Sequence, residues 1–128
     1  MKLVKLLSIL VLLLSIGLIS CKNATAKELI VSKWKLNELI PNPEFQISDS
    51  LKKKIEEDLT IEFTTDNKYI QTGGGMTQNG TYKISEDGKL ITYIKDGTNE
   101  TFVDTIIELT KDKLSIIEET RNKKIYKK

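Results

Sequence analysis

Turn signals come at short, regular intervals through the second half of this chain. Asp66-Asn67, Asp87-Gly88, Asp96-Gly97, Lys111-Asp112 and Arg121-Asn122 each separate runs rich in Ile, Thr, Tyr, Phe and Val. Asp-Gly suits a hairpin because both positions tolerate positive φ. Strands are predicted at Lys33–Ile40, Thr60–Thr65, Lys68–Gly73, Gly80–Ser85, Lys89–Lys95, Glu100–Thr110, Lys113–Thr120 and Lys123–Lys127. Short strands joined by tight turns suggest a sandwich or a closed barrel, and sequential hairpins favour the up-and-down kind. About eight strands also close into a barrel whose interior side chains can fill.

Alternation supports this unevenly. "TIEFTTD" sets Ile61, Phe63 and Thr65 on one face, and "GTYKIS" sets Tyr82 with Ile84 opposite Lys83. "FVDTIIEL" is apolar on both faces, with Val103, Thr105, Ile107 and Leu109 on one and Phe102, Asp104, Ile106 and Glu108 on the other. Such a strand is expected to be covered on its outside, and one helix is available. In "SDSLKKKIEEDL" Leu51, Ile55 and Leu59 recur every fourth residue, Ser48 suits an N-cap, and Asp49 suits the first turn. Lys52–Glu56, Lys53–Glu57 and Lys54–Asp58 can pair on the exposed side. Pro41-Asn42-Pro43 stops the first strand, which places the helix between strands one and two.

The amino-terminal stretch decides location. Lys2 and Lys5 precede an apolar core from Leu6 to Ile19. At roughly 14 residues that core is shorter than the ~20 needed to cross hydrocarbon. A basic end, a short core and small residues form the pattern of a secretory signal. Leu18-Ile19-Ser20-Cys21 resembles the lipobox of bacterial lipoproteins. In that family the Cys thiol is joined to diacylglycerol, and its freed amine is usually acylated too. The resemblance implies a cleaved signal over residues 1–20, a lipid on Cys21, and a polar tether over residues 21–32. The other readings are a retained membrane helix or an ordinary signal with an incidental Cys. Cys21 is the single Cys of the chain, so no intramolecular disulfide can form. Several acyl chains, at ~0.8 kcal/mol per buried CH₂, make a durable anchor. Lys22 is not the Asp of an inner-membrane retention signal, and residues 22–27 lack the acidic cluster of a surface-export signal. The expected location is therefore the bacterial cell envelope, on the outer membrane facing the periplasm.

Composition excludes several functions. Residues 1–20 hold Lys2, Lys5 and no acids, so residues 21–128 balance 18 basic side chains against 18 acidic ones. That neutrality argues against nucleic-acid binding, which needs a basic footprint. With no His and one Cys, the usual Zn ligands and Ser/His or Cys/His catalysis are lacking. No cofactor and no enzymatic activity are expected.

In order along the chain come "VSKWKL", a helix, "LTIEFTTD", "GTYKIS" and "KLITYI". This series resembles the lipocalin-like lipoproteins of bacteria, in which an early Trp in G-x-W-x-l and a mid-domain G-x-Y-x-i recur. The resemblance covers residues 29–128. It departs from classical lipocalins at Ser32, where they have Gly before the Trp. It implies a small, non-enzymatic, eight-stranded up-and-down β-barrel over residues 33–128. Classical lipocalins also stack an Arg on that Trp. Here the plainer reading is preferred, with Trp34 in the core and Arg121 in an exposed turn.

Three other features of the chain bear on function. "QTGGGMTQNG", residues 71–80, reads as a flexible loop rather than a phosphate loop, because a strand follows it; it would gate the barrel mouth, with Met76 near the ligand path. Asp104 and Glu108 share a strand face at a spacing of ~13 Å, too far for a cooperating pair, and read as exposed charges. The tail "RNKKIYKK" reads as a last strand protected by Lys against edge pairing, or as a contact for anionic lipid.

The expected function is a membrane-anchored binding module for a small apolar or amphipathic ligand. Trp34, Phe63, Tyr82 and Tyr93 are the candidate ligand contacts. The competing expectation is a structural or protein-interaction lipoprotein, of envelope-stress or inhibitor type, with a filled barrel.

Overall fold

The computed structural model of the chain describes residues 24–128. The expected signal over residues 1–20 and Cys21 therefore lie outside the described residues. A short helix α1 (Ala26–Ile30) leads into β1 (Ser32–Ile40), and α2 (Asp49–Asp58) follows. Then come β2 (Thr60–Phe63), β3 (Lys68–Gly73), β4 (Met76–Ile84), β5 (Leu90–Lys95), β6 (Thr101–Leu109), β7 (Lys113–Ile117) and β8 (Lys123–Lys127). All pairings are antiparallel between sequential strands, and β1 pairs with β8 to close the barrel. This is the predicted architecture. Closure corrects one reading, however. With β7 on one side and β1 on the other, β8 is not an edge, so its lysines protect none.

One end of the barrel is shut. Ile30 is fully buried, and Trp34 Nε1 donates to the Ile30 carbonyl at 2.8 Å, so α1 plugs this end. The tether expected to run to residue 32 is thus already folded from Ala26 onward, because Ile30 has apolar surface to bury beside Trp34. Lys128 Nζ lies 5.2 Å from the centre of the Trp34 ring, so the cation over that ring is Lys128. Arg121 occupies the β7–β8 turn at φ 65°.

At the other end β1 and β2 part. They pair only from Ser32–Lys35 to Thr60–Phe63, and α2 lies against the upper part of β1 and the end of β3. Ser48 caps α2 by accepting from Leu51 N–H at 3.2 Å. Lys52–Glu56 and Lys53–Glu57 pair as predicted, whereas Lys54 and Asp58 line a crevice with Leu51, Ile55 and Leu59. The helix does not cover β6 as expected. Asn42 pins the loop before α2 to the β7–β8 turn: its side-chain amide donates to the Thr120 carbonyl at 3.1 Å, and its N–H donates to Asn122 Oδ1 at 2.9 Å.

The glycine stretch is not a flexible loop. Gly73 pairs with Met76, so β3 and β4 continue to a two-residue turn, Gly74-Gly75, with φ of 61° and 73°. Two consecutive positive φ values make a hairpin turn that matches strand twist, and glycine adopts them without a Cβ clash. Gly74 N–H also donates to the Asp58 carboxylate, which ties the turn to α2. Met76 is 76% exposed and does not enter the barrel.

Candidate functional site

Inside the barrel, side chains sort by height. Toward the shut end lie Trp34, Leu36, Ile61, Phe63, Tyr82, Ile84, Ile91, Leu114 and Ile116, all buried. Phe63 meets Tyr82 edge-on at 4.9 Å, and the Tyr82 hydroxyl donates to the Thr64 carbonyl at 2.8 Å. This half is filled.

The half toward the mouth is not filled. A cavity of about 340 Å³ is bounded by Tyr69, Gln71 and Gln78 from β3 and β4, Tyr93 and Phe102–Asp104 from β5 and β6, Glu118–Thr120 from the β7–β8 connection, and Lys124 from β8. Its volume sits at the small end of the roughly 300–1,000 Å³ range of ligand pockets. The rings of Tyr69 and Tyr93 meet edge-on at 5.1 Å at its inner limit. The Tyr69 hydroxyl accepts from Gln78 Nε2 at 3.0 Å.

Of the four aromatic candidates, only Tyr93 lines this cavity. Trp34, Phe63 and Tyr82 are brought together below it as core. Strand alternation without the register could not rank them by height.

The polar residues were missed for a definite reason. β6 carries an irregularity between Ile106 and Glu108 in its pairing with β7. Above it Asp104, opposite fully buried Ile91, points inward; below it Leu109, opposite Leu114, points inward instead. Asp104 and Glu108 thus lie on opposite faces, which corrects the shared exposed face expected from even spacing. Glu108 is outside and pairs with Lys113 at 2.9 Å. The same bulge explains the two-faced apolar pattern of this strand. On β8 the inward residues are Lys124 and Tyr126, and Lys124 contacts the Glu118 carboxylate.

Burial pushes the Asp104 carboxyl up to about 6, helped by Glu118 and Glu119 and opposed by the neighbouring Tyr93 hydroxyl and by Lys124. Burial likewise holds Tyr93 well above the usual phenol range, with Asp104 adding to the effect. Glu119 accepts from Val103 N–H at 3.1 Å across the rim. This arrangement can bind through hydrogen bonds, charge and ring faces. Among the described residues, no three acidic or thiol side chains converge on a metal site.

An antiparallel eight-stranded barrel, shut at one end by the N-terminal segment and hollow at the other, is the architecture of lipocalin-like proteins. The chain belongs to the lipocalin-like domain family, whose model matches residues 30–116. It is similar in fold to a lipocalin-like protein from Bacteroides uniformis known from its crystal structure. The two share 16% identity over 77% of this chain and 97% of that one, with a TM-score of 0.55. No curated protein matches the chain.

Proposed function

We propose that this protein is a non-enzymatic binding module of the bacterial cell envelope, held to the membrane by lipid on Cys21, that takes one small amphipathic ligand into the barrel mouth. The observation that carries this reading is the cavity of about 340 Å³, where ring faces and polar groups converge above a filled core. Membership of the lipocalin-like family supports a binding role. The lipobox-like Leu18–Cys21 supports the anchor, and with Lys22 after it, the outer membrane facing the periplasm.

A second reading, a structural or protein-interaction lipoprotein, draws on the filled lower half and on exposed Phe45, Leu51 and Met76 in mouth-end segments. Native mass spectrometry of the extracted full chain separates the two. One small adduct per chain is expected, lost when Gln78→Trp fills the cavity. A wild type free of adduct favours the second reading, and an adduct that survives Gln78→Trp overturns the cavity as its seat. Metabolic palmitate labelling, abolished by Cys21→Ala, tests the anchor; an unlabelled wild type removes it.

A further inference from the structure

The charges around the mouth cavity are unequal. Asp104, Glu118 and Glu119 face one cation, Lys124. Lys124 is engaged by Glu118, and Glu119 is engaged by the Val103 N–H. Asp104 has no ion-pair partner among the described residues; its companion is the neutral hydroxyl of Tyr93. A carboxylate half withdrawn from water on a barrel wall gains more from an incoming cation than an exposed one, because local screening is weaker. An anionic ligand would meet net negative charge and find the cavity's Lys already paired.

The remaining lining is suited to a small amphiphile. Tyr69 and Tyr93, both more than nine-tenths buried, present ring faces with Phe102. The Tyr69 oxygen accepts from Gln78, which leaves its O–H free to donate. Gln71, opposite Gln78 in register, brings a second side-chain amide to the same wall.

We infer that the ligand is an amphipathic amine, seated with its ammonium group on Asp104 and its apolar part against Tyr69, Tyr93 and Phe102. The inference rests on the proposed binding role and adds the sign of the ligand's charge. Binding is also pH-dependent, through the groups that surround Asp104: Tyr93 on β5, Glu118 and Glu119 after β7, and Lys124 and Tyr126 on β8. Acidification protonates Asp104 and releases the amine.

Isothermal titration calorimetry on the full chain in a neutral maltoside, with blank micelles subtracted, compares three matched probes: 2-phenylethylamine, 2-phenylethanol and 3-phenylpropanoate. The amine is expected to bind about tenfold more tightly than the alcohol near pH 7.5, with the carboxylate weakest. Near pH 5 the amine keeps its charge but Asp104 loses most of its own, so the ratio should fall about threefold or more. Asp104→Asn should bring the ratio to about one. Equal binding of amine and alcohol, tighter binding of the carboxylate, or an amine preference that survives Asp104→Asn overturns the inference. If the alcohol binds as well as the amine, the binding role stands and only the cation falls; if no probe binds, both fall.

Discussion

Gly80 shows how one residue sets the interior of the barrel. A Cβ built there would lie 2.1 Å from the Ile94 carbonyl oxygen and 2.6 Å from Tyr69 Cε1. The first contact is backbone of the neighbouring strand, so no rotamer change relieves it. The glycine of the Gly80-Thr-Tyr82-Lys-Ile84 stretch is therefore required by close approach and not by a positive φ. Its missing side chain is what lets the Tyr69 ring lie across β4 and bound the cavity. Gly80→Ala is expected to cost about 3 kcal/mol or more, at the upper end of overpacking effects. Urea unfolding of the purified domain checks this; a loss within error of zero would mean that β4 and β5 can separate freely.

Among the elements, α1 has the largest effect for its size. Five residues close the barrel because Ile30 fills the space beside Trp34 and its carbonyl takes up the indole N–H. Its Thr25 cap accepts from Glu28 N–H at 3.3 Å, which starts the turn. An isolated helix this short is not stable in water, so tertiary packing must hold it. Ile30→Ala should therefore cost roughly 2–5 kcal/mol. Differential scanning calorimetry would register this as a fall in Tm; an unchanged Tm would return residues 26–30 to the role of a tether. The bulge in β6 sets the lining of the mouth cavity, since it turns Asp104 inward and leaves Glu108 outside.

For the whole molecule, the mouth cavity carries an energetic cost. Asp104 titrates at about 6 in the folded chain against 3.8 unfolded. Because the folded value is raised, folding favours the protonated acid. Its stability contribution is complete below about pH 4 and is lost as pH rises through about 6. At 1.36 kcal/mol per unit, the loss approaches about 3 kcal/mol at neutral pH. Asp104→Asn should recover much of that near pH 7 and flatten the slope between about pH 4 and 7. Denaturant titrations across that range measure it; a wild type whose stability rises with pH over the interval, with the variant following in parallel, contradicts the assignment. A carboxylate kept there at such a cost is consistent with a ligand that neutralises it.

The order of strands and helix was legible along the chain. Asp-Gly turns, the Ser48 cap and the four-residue apolar spacing of α2 act between neighbours in sequence, so they need no fold to be read. The residues brought to the mouth were not legible in this way. Whether Asp104 and Lys124 face in or out depends on a bulge and on the meeting of β8 with β1, and both are properties of the closed ring. Three consecutive glycines read as a loose loop along the chain; the Gly73–Met76 register and the Asp58 contact make the turn tight. Sequence alone thus determined a barrel of hairpins, since turn chemistry and alternation are local. Only the tertiary structure decided which half is hollow and what charge it holds, because strand register and closure set where each side chain ends.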